Sequence, residues 1–329
     1  MNDRIRVGGA VFVAVCLFLG VQLGALTLVE PFQEAGHQAV EDPEDPTNSV
    51  LYFGVILVAT GFMLAAFRYD LQWLIRGLII AVSVMLAWFV FAEVLPPAVA
   101  YGGVNVVAAV ASAAVGVALY VYPEWYVIDL AGVLVGAGAA GLFGISFGLL
   151  PALVLLAALA VYDAISVYKT EHMLSLAEGV MDLHIPVILV IPTTLSYSHL
   201  APGATEDVIN GDDEPRRAER NGEPGPEPTD DGGRDALFIG LGDAVIPTIL
   251  VASAAYFLEA GTIDVPLIAL NLPALGAMVG TIAGLLVLMY MVLQGRAHAG
   301  LPVLNGGAIG GYLVGAVASG VPIVTALGL

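Results

Sequence analysis

The sequence predicts an all-α, polytopic membrane protein with nine transmembrane helices. Of its 329 residues, 59% are hydrophobic, and the mean hydropathy is +0.91. Several apolar stretches exceed the roughly 20 residues that a helix needs to cross a bilayer. This is too much apolar sequence for the core of a soluble protein, so the stretches are expected to pack against lipid and against one another.

The hydropathy pattern distributes the spans over the whole chain. The first span follows Arg4 and Arg6, as a signal peptide would, but its apolar run is longer than the roughly 7 to 15 residues of a signal-peptide core. We therefore interpret it as a membrane helix, and we expect an integral, multi-pass protein of the cell membrane. The spans lie near residues 7–28, 50–67, 71–95, 97–121, 126–147, 149–168, 236–258, 266–293 and 301–326.

Basic residues predict the orientation of the helices. The chain has ten Lys and Arg residues, and cytoplasmic segments of membrane proteins carry an excess of them. With nine spans and a cytoplasmic N-terminus, every one falls in a cytoplasmic segment or about one turn inside that face. The C-terminus is then external, and the acidic first loop is external too. The ten are Arg4, Arg6, Arg68, Arg76, Lys169, Arg216, Arg217, Arg220, Arg234 and Arg296.

A polar segment interrupts the apolar sequence at residues 201–235. It is rich in Asp, Glu, Pro and Gly, so it cannot bury enough surface to fold and is predicted to be a disordered cytoplasmic loop. Much of the net charge of −19 lies there and in the first loop, where it is expected to be solvated. The predicted parts are a six-helix N-terminal part (1–168), a cytoplasmic interfacial segment with the acidic loop (169–235) and a three-helix C-terminal part (236–329).

Two aspartates stand inside apolar spans with no basic residue within a helical turn. An ionisable group in a bilayer costs at least about 2.5 to 3.5 kcal/mol, which makes Asp163 and Asp243 functional candidates. At about 1.5 Å per residue, they lie roughly 9 and 13 Å inside the cytoplasmic face, on antiparallel helices. Other charged residues near the spans lie within about two turns of a helix end, where they can reach water: Arg76, Glu93, Asp129 and Asp182.

Two carboxylates at similar depth predict aspartic protease chemistry. When they face each other they cannot both ionise cheaply, so the pair shares one proton. The ionised member then takes a proton from a water molecule, the protonated member polarises the scissile carbonyl, and a proton passes to the leaving amine. No metal or organic cofactor is needed for this reaction.

The local motifs around these aspartates strengthen the prediction. Tyr162-Asp163 and Gly240-Leu241-Gly242-Asp243 lie on consecutive hydrophobic spans that a cytoplasmic polar loop separates. In this combination the chain resembles the presenilin and signal peptide peptidase family of intramembrane aspartyl proteases, most closely an archaeal presenilin homologue, over essentially its whole length. The resemblance implies an aspartic endopeptidase that cleaves transmembrane segments, with Asp163 and Asp243 as the catalytic pair.

The third motif of that family, Pro-Ala-Leu at the start of the ninth helix, is altered here. A literal Pro273-Ala274-Leu275 lies before the eighth span has crossed, so we interpret it as a decoy. The equivalent by position is Ala299-Gly300-Leu301-Pro302, in which only Leu301 and Pro302 match. The resemblance implies that Gly300, Leu301 and Pro302 border the active site. An ordinary Gly-Pro helix start is the alternative.

The substrate helix must unwind before it can be cut, and an unwound backbone needs hydrogen-bond partners in a water-poor site. Adding the substrate as a strand would provide them. The residues 187–191, rich in β-branched side chains, together with Phe238, Ile239 and the 300–302 turn, are the implied strand-binding region. The alternative is that residues 187–191 pack as an interfacial plug. Tyr162, Gly240, Leu241 and Gly242 complete the predicted border of the site.

The two aspartates are also compatible with other functions. Two membrane carboxylates also suit a proton-coupled transporter or a cation pathway, although no internal repeat of the kind common in transporters is visible. A prepilin peptidase also uses a GxGD aspartate, but on a smaller bundle. No nucleic-acid motif or basic patch is present in the sequence, and Glu171-His172 lacks the second half of a zinc HExxH motif. The expected partners are substrate transmembrane segments and the lipid bilayer, while the oligomeric state is left open.

Overall fold

The computed structural model of the chain describes residues 3–69, 71–169, 187–192, 236–294 and 299–329. Within these ranges the long helices are α1 (Asp3–Glu34), α2 (Thr47–Arg68), α3 (Gln72–Val94), α4 (Val106–Val121), α5 (Trp125–Ser146), α6 (Leu149–Lys169), α7 (Leu241–Phe257), α8 (Leu272–Val292) and α9 (Gly300–Ala318). A short helix, α10 (Ile323–Ala326), follows them. Four strands form two antiparallel pairs, β1 (Ala100–Tyr101) with β2 (Val104–Asn105) and β3 (Ile188–Pro192) with β4 (Ala236–Gly240).

Most of these helices could cross a membrane. Seven are long and apolar enough by length and composition, and α4 and α7 are apolar but shorter, with 16 and 17 residues. A helix of that length reaches about 25 Å, slightly less than the roughly 30 Å of a hydrocarbon core. The chain is therefore a mostly helical, multi-pass membrane protein. The total of nine crossings and their orientation stay predictions.

Glycines explain why two predicted spans are longer than their helices. In the span 97–121, Gly102 and Gly103 have φ of 59° and 84° and turn the chain between β1 and β2 before α4 begins. In the span 301–326, Gly320 has φ of 81° and separates α9 from α10. Positive φ is a conformation that glycine adopts without steric cost. Hydropathy alone joined these segments because the turn residues are themselves uncharged.

Two further spans differ at their ends. Helix α1 has 32 residues and extends past the predicted span 7–28 on both sides. The predicted span 266–293 loses its first six residues, because α8 begins at Leu272. The side chain of Asn271 accepts a hydrogen bond from the Ala274 N–H at 2.8 Å, which is the usual role of asparagine before the first turn of a helix.

The prediction of a helix over the span 236–258 is wrong for its first five residues, which form strand β4. Ala236 pairs with Pro192 and Gly240 with Ile188, and the N–H of Leu241 donates to the Val187 carbonyl at 2.7 Å. A short apolar run is compatible with either a buried strand or a buried helix. The depth predicted for Asp243 also changes, since this residue lies in the first turn of α7.

Helix α5 lies between α1 and α7 at the centre of the molecule. Its small residues allow close approach on both sides. A Cβ atom on Gly141 would lie 3.4 Å from the Ala25 carbonyl oxygen of α1, and one on Gly144 would collide with Ala252 of α7. Helix packing in membranes depends on such contacts because lipid provides no hydrophobic drive between helices.

The closest helix pair is α8 with α9. Glycines recur at every fourth position on both facing surfaces, and a Cβ atom on any of them would collide with the backbone of the other helix. This is an extended form of the small-residue packing found between membrane helices. It fixes the start of α9 beside the end of α8. The glycines are Gly276, Gly280 and Gly284 on α8 and Gly307, Gly311 and Gly315 on α9.

Helix α6 packs against α2, α7 and α9. The side-chain amide of Asn305 on α9 donates to the Leu156 carbonyl of α6 at 2.9 Å, so the two helices are joined by a hydrogen bond as well as by apolar contact. The end of α6, the start of α7 and the start of α9 consequently lie at one end of the bundle. This is the arrangement that brings the two aspartates together.

Charged residues near the helix ends have local partners. The His37 ring lies 2.9 Å from the Glu93 carboxylate, and the Arg76 guanidinium donates to the Tyr120 carbonyl at 3.1 Å. Asp182 and the predicted acidic loop, 201–235, lie outside the described residues, as does most of the predicted interfacial segment. The three-part division of the chain accordingly stays a prediction.

Candidate active site

Asp163 lies on α6, six residues before the last residue of that helix. Its side chain is buried, with 7% exposed. The backbone N–H of Leu301 donates to Asp163 Oδ2 at 3.0 Å. The first N–H groups of a helix have no partner within that helix, so the start of α9 uses one of them to bind the carboxylate of α6.

Asp243 lies in the first turn of α7, and its side chain is half-buried. A Cβ atom on Gly300 would lie only 3.2 Å from Asp243 Oδ2 and 3.4 Å from Oδ1. The absence of a side chain at Gly300 therefore allows the start of α9 to lie directly against this carboxylate. A Cβ atom on Gly240 would lie 3.5 Å from the same Oδ2, so a second glycine leaves space on the other side.

The two carboxylates meet at one peptide unit of α9. Leu301 contributes the N–H that binds Asp163, and the preceding residue, Gly300, contributes the α-carbon beside Asp243. Both acids also lie near a helix N-terminus, where the partial positive charge of the helix favours an anion. The structure thus brings together Asp163, Asp243, Gly240, Gly300 and Leu301, while their roles in catalysis stay predictions.

The remaining predicted border residues lie nearby but differ in exposure. Leu241 is buried, whereas Gly242 is exposed. Tyr162 is half-buried and faces α2, where its ring meets the Phe53 ring edge-on with centroids 6.0 Å apart. Pro302 occupies the third position of α9, in the first turn, where a missing N–H costs no helical hydrogen bond.

The literal Pro-Ala-Leu sequence lies at the opposite end of α8. Pro273 follows the first residue of that helix and packs against Gly315, near the end of α9. The 21 residues of α8 separate it from the start of α9 by about 30 Å. Residues 273–275 are therefore a structural helix start, and residues 299–302 are the ones beside the carboxylates.

Strands β3 and β4 lead to the site through Gly240, beside which Asp243 lies. Residues 189–191 of β3 are buried, so this apolar segment folds back against the helices. In the ladder, Phe238 pairs with Val190 and Ile239 pairs with Leu189. Strand β4 leads straight into α7, so Gly240 is both the last strand residue and the residue before the helix that carries Asp243.

One acid beside the site differs from its sequence-based interpretation. Asp129 on α5 was expected to reach water near its helix end, but only 4% of it is exposed. Its Oδ1 accepts a hydrogen bond from the Val190 N–H of β3 at 2.7 Å. A signal was present in the sequence, since Gly132 and Gly136 share its helix face at spacings of three and seven residues. Hydropathy does not report that pattern, because it averages over all faces of the helix.

A metal site would need several ligating side chains close together. Among the residues that the structure describes, no three His, Cys, Asp or Glu side chains cluster in a way that could hold a metal ion. The Asp163 carboxylate accepts the backbone N–H of Leu301, and the Asp243 carboxylate lies beside Gly300 at the start of α9. The arrangement is suited to sharing protons and holding a water molecule.

A multi-helix membrane protein with two carboxylates at the same end of its bundle, both beside the start of a third helix, has the architecture of an intramembrane aspartyl protease. The sequence model described as signal-peptide peptidase, presenilin aspartyl protease matches residues 15–321. The chain belongs to this family, and it is an aspartic endopeptidase that works within a membrane, with membrane proteins as substrates.

Solved structures give the same result. One described as a presenilin family intramembrane aspartate protease in space group C222 is 34% identical, with a TM-score of 0.62, and the alignment covers 94% of this chain and 99% of that one. A second so described, in space group P2, is 34% identical with a TM-score of 0.59, covering 92% and 96%. A search of curated proteins finds no match. The transporter alternative receives no support.

Proposed function

We propose that Asp163 and Asp243 are the catalytic pair of this protease, which hydrolyses peptide bonds in the transmembrane segments of membrane proteins. One observation carries the proposal. Adjacent residues at the start of α9 contact both carboxylates, Leu301 through a 3.0 Å hydrogen bond to Asp163 and Gly300 through its approach to Asp243. Two acids that both approach one peptide unit are placed to share a proton and hold a water molecule.

The reaction follows from that arrangement. The ionised member of the pair removes a proton from water, and the oxygen attacks the carbonyl carbon while the protonated member donates to the carbonyl oxygen. A tetrahedral diol results. Its C–N bond breaks as a proton passes from the pair to the amide nitrogen, giving an amine and a carboxylic acid. The shared proton belongs to the pair rather than to either residue.

The substrate is proposed to bind as a strand. A peptide bond within a helix is hydrogen-bonded and shielded, so the segment must unwind before water can attack. The β3–β4 pair ends at Gly240, three residues before Asp243, and Gly240 and Gly242 are both exposed. Backbone hydrogen bonds to an added strand would replace those of the unwound helix. Leu301 and Pro302 border the same space from α9.

The site is proposed to open toward the cytoplasm. Arg68 ends α2 and Lys169 ends α6, at the end of the bundle where α7 and α9 begin, and basic residues mark the cytoplasmic side. This orientation places the N-terminus of the chain in the cytoplasm. It matches the presenilin arrangement and implies substrates whose own N-termini are external.

The test compares variants of the purified full-length chain in detergent or lipid with a single-span membrane protein as substrate. Asp163→Asn and Asp243→Asn keep the size of each side chain and remove its acid. Each alone is expected to abolish cleavage, because neither carboxylate can perform both proton transfers. Glu93→Gln is the matched control, since it alters an acid at the other end of the bundle that contacts His37. Substantial proteolysis by either asparagine variant would show that Asp163 and Asp243 are not the catalytic pair.

A further inference from the structure

Asp129 is a buried acid that the proposed reaction does not use. It lies one turn into α5, with 4% exposed, and accepts the Val190 N–H of β3 at 2.7 Å. A carboxylate in such a place is costly unless it is well hydrogen-bonded. The strand that it binds pairs with β4, which leads into α7 and Asp243, so Asp129 is connected to the candidate active site through β3 and β4.

The pairing pattern shows which edge of β3 Asp129 occupies. The N–H of Leu241 donates to the Val187 carbonyl, so the backbone groups of Val187 face β4. In an antiparallel ladder the direction alternates from one residue to the next. Leu189 and Ile191 consequently also face β4, whereas Ile188 and Val190 face outward. Asp129 accepts the outward N–H of Val190 and closes this edge to another strand.

The surface of α5 around Asp129 is shaped to receive β3 and the start of α7. A Cβ atom on Gly132 would lie 3.2 Å from Leu189 Cδ2, and one on Gly136 would lie 3.2 Å from Leu241 Cδ1. These glycines lie on the helix face of Asp129. The apolar contacts fix the distance between the strand pair and α5, but they are not directional. The hydrogen bond to Asp129 is directional and specifies the strand position along α5.

We propose that Asp129 is a positioning residue that sets which peptide bond of the substrate reaches the catalytic pair. This rests on the proposed function, in which substrate adds to the β3–β4 pair as a strand. Strand residues are spaced by about 3.3 Å, so a slip of one residue carries the scissile bond away from the carboxylates. The same slip turns every substrate side chain to the other face. The Asp129–Val190 hydrogen bond holds β3, and with it β4, at one position along α5, and so prevents that slip. It also keeps the substrate away from the outward edge of β3.

In this proposal Asp129 acts as a hydrogen-bond acceptor, and the negative charge of its carboxylate is not required. Variants can test the two properties separately. Asp129→Ala removes the acceptor and leaves the Val190 N–H buried without a partner. Asp129→Asn keeps an oxygen that can accept the same hydrogen bond. Val190→Pro removes the donor instead, at an outward position where proline is tolerated in an edge strand. Pro192 already occupies such a position in β3.

The experiment measures product masses, kcat and KM for one single-span substrate with the purified full-length chain. For Asp129→Ala and Val190→Pro we expect cleavage spread to bonds one or two residues away and kcat lowered about tenfold. For Asp129→Asn we expect the wild-type product pattern. Ser146→Ala is the matched control: Ser146 is a buried acceptor of a backbone N–H at the other end of α5, bound to Ala39 at 2.8 Å. It is expected to keep the wild-type products.

Either of two results would overturn the proposal: unchanged products from both Asp129→Ala and Val190→Pro, or products from Asp129→Asn that are as altered as those from Asp129→Ala. Circular dichroism establishes whether each variant is folded. If Asp129→Ala is not folded, the products of Val190→Pro test the proposal instead. A wild-type chain that cleaves no single-span substrate would contradict the proposed function itself. If the wild-type chain cleaves the substrate and both variants give the wild-type products, only the role of Asp129 is contradicted.

Discussion

Leu301 donates its backbone N–H to the carboxylate of Asp163 at 3.0 Å, across 138 residues of sequence. This contact joins the start of α9 to the end of α6. The glycine before Leu301 lies against Asp243. The spacing of the two carboxylates therefore depends on where α9 begins, and the packing that fixes α9 is also part of the active site.

The first prediction concerns the space at Gly300. Gly300→Val is expected to lower kcat at least about tenfold, because a branched side chain would push the Asp243 carboxylate away from its present place. Gly300→Ala should have a smaller effect, since its single Cβ atom at 3.2 Å from Oδ2 requires a shift of only a few tenths of an ångström. The measurement is the cleavage rate at saturating substrate.

The control for Gly300 is Gly310→Val on the same helix, where an added Cβ atom would meet nothing within 4 Å. Valine is a better helix former than glycine, by about half a kcal/mol or less, so neither substitution should weaken α9 through helix propensity. Equal rates for the variants at positions 300 and 310 would show that proximity to Asp243 has no catalytic consequence.

The second prediction is a bell-shaped dependence of kcat/KM on pH. At low pH both carboxyl groups are protonated and no base remains to activate water, so the rate falls. At high pH both are ionised and no acid remains to protonate the carbonyl oxygen, so the rate falls again. Both limbs belong to the coupled pair. A profile that stays flat across the range in which the folded protein is active would argue against acid–base catalysis by the pair.

The third prediction concerns the packing of α8 against α9. Gly280→Val places a side chain where a Cβ atom would already collide with the Gly307 carbonyl. Overpacking of this kind costs about 1 to 3 kcal/mol, and the displaced α9 would move Leu301 from Asp163. We expect a lower thermal unfolding temperature in detergent together with reduced cleavage. Gly306→Val, on α9 with no atom within 4 Å of its Cβ position, should leave both values nearly unchanged.

The fourth prediction uses the alternation of hydrogen bonds in β3. Leu189→Pro removes an N–H that faces β4, so the strand pair should be weakened and cleavage lowered at least about tenfold. Ile188→Pro removes an outward N–H and should have a much smaller effect, although it lies at the next position. Cleavage rate and product masses are the measurements. The reverse order of the two effects would mean that the backbone directions deduced from the Val187–Leu241 hydrogen bond are wrong.

Much of this protein could be predicted from its sequence. Burying an acid in lipid is so unfavourable that Asp163 and Asp243 stood out without any structure. Apolar length identified a multi-pass membrane protein. The local motifs Tyr162-Asp163 and Gly240–Asp243 were sufficient to place the chain with the presenilin and signal peptide peptidase family. These features are local, so each can be read from a few neighbouring residues.

Other features depend on residues that meet only after folding. Residues 236–240 form a strand because β3 supplies a partner, and an apolar run does not reveal whether such a partner exists. Asp129 reads as an acid near a helix end, yet it is buried and binds the N–H of Val190, 61 residues away. Gly300 departs from the family motif, and only the approach of α9 to Asp243 explains what a glycine permits there. The sequence by itself determined the class of protein and singled out the two acids that are proposed to react. The tertiary structure decided how the start of α9 meets those two acids and how α5 binds the β3–β4 pair, because these hydrogen bonds join residues that lie far apart in the sequence.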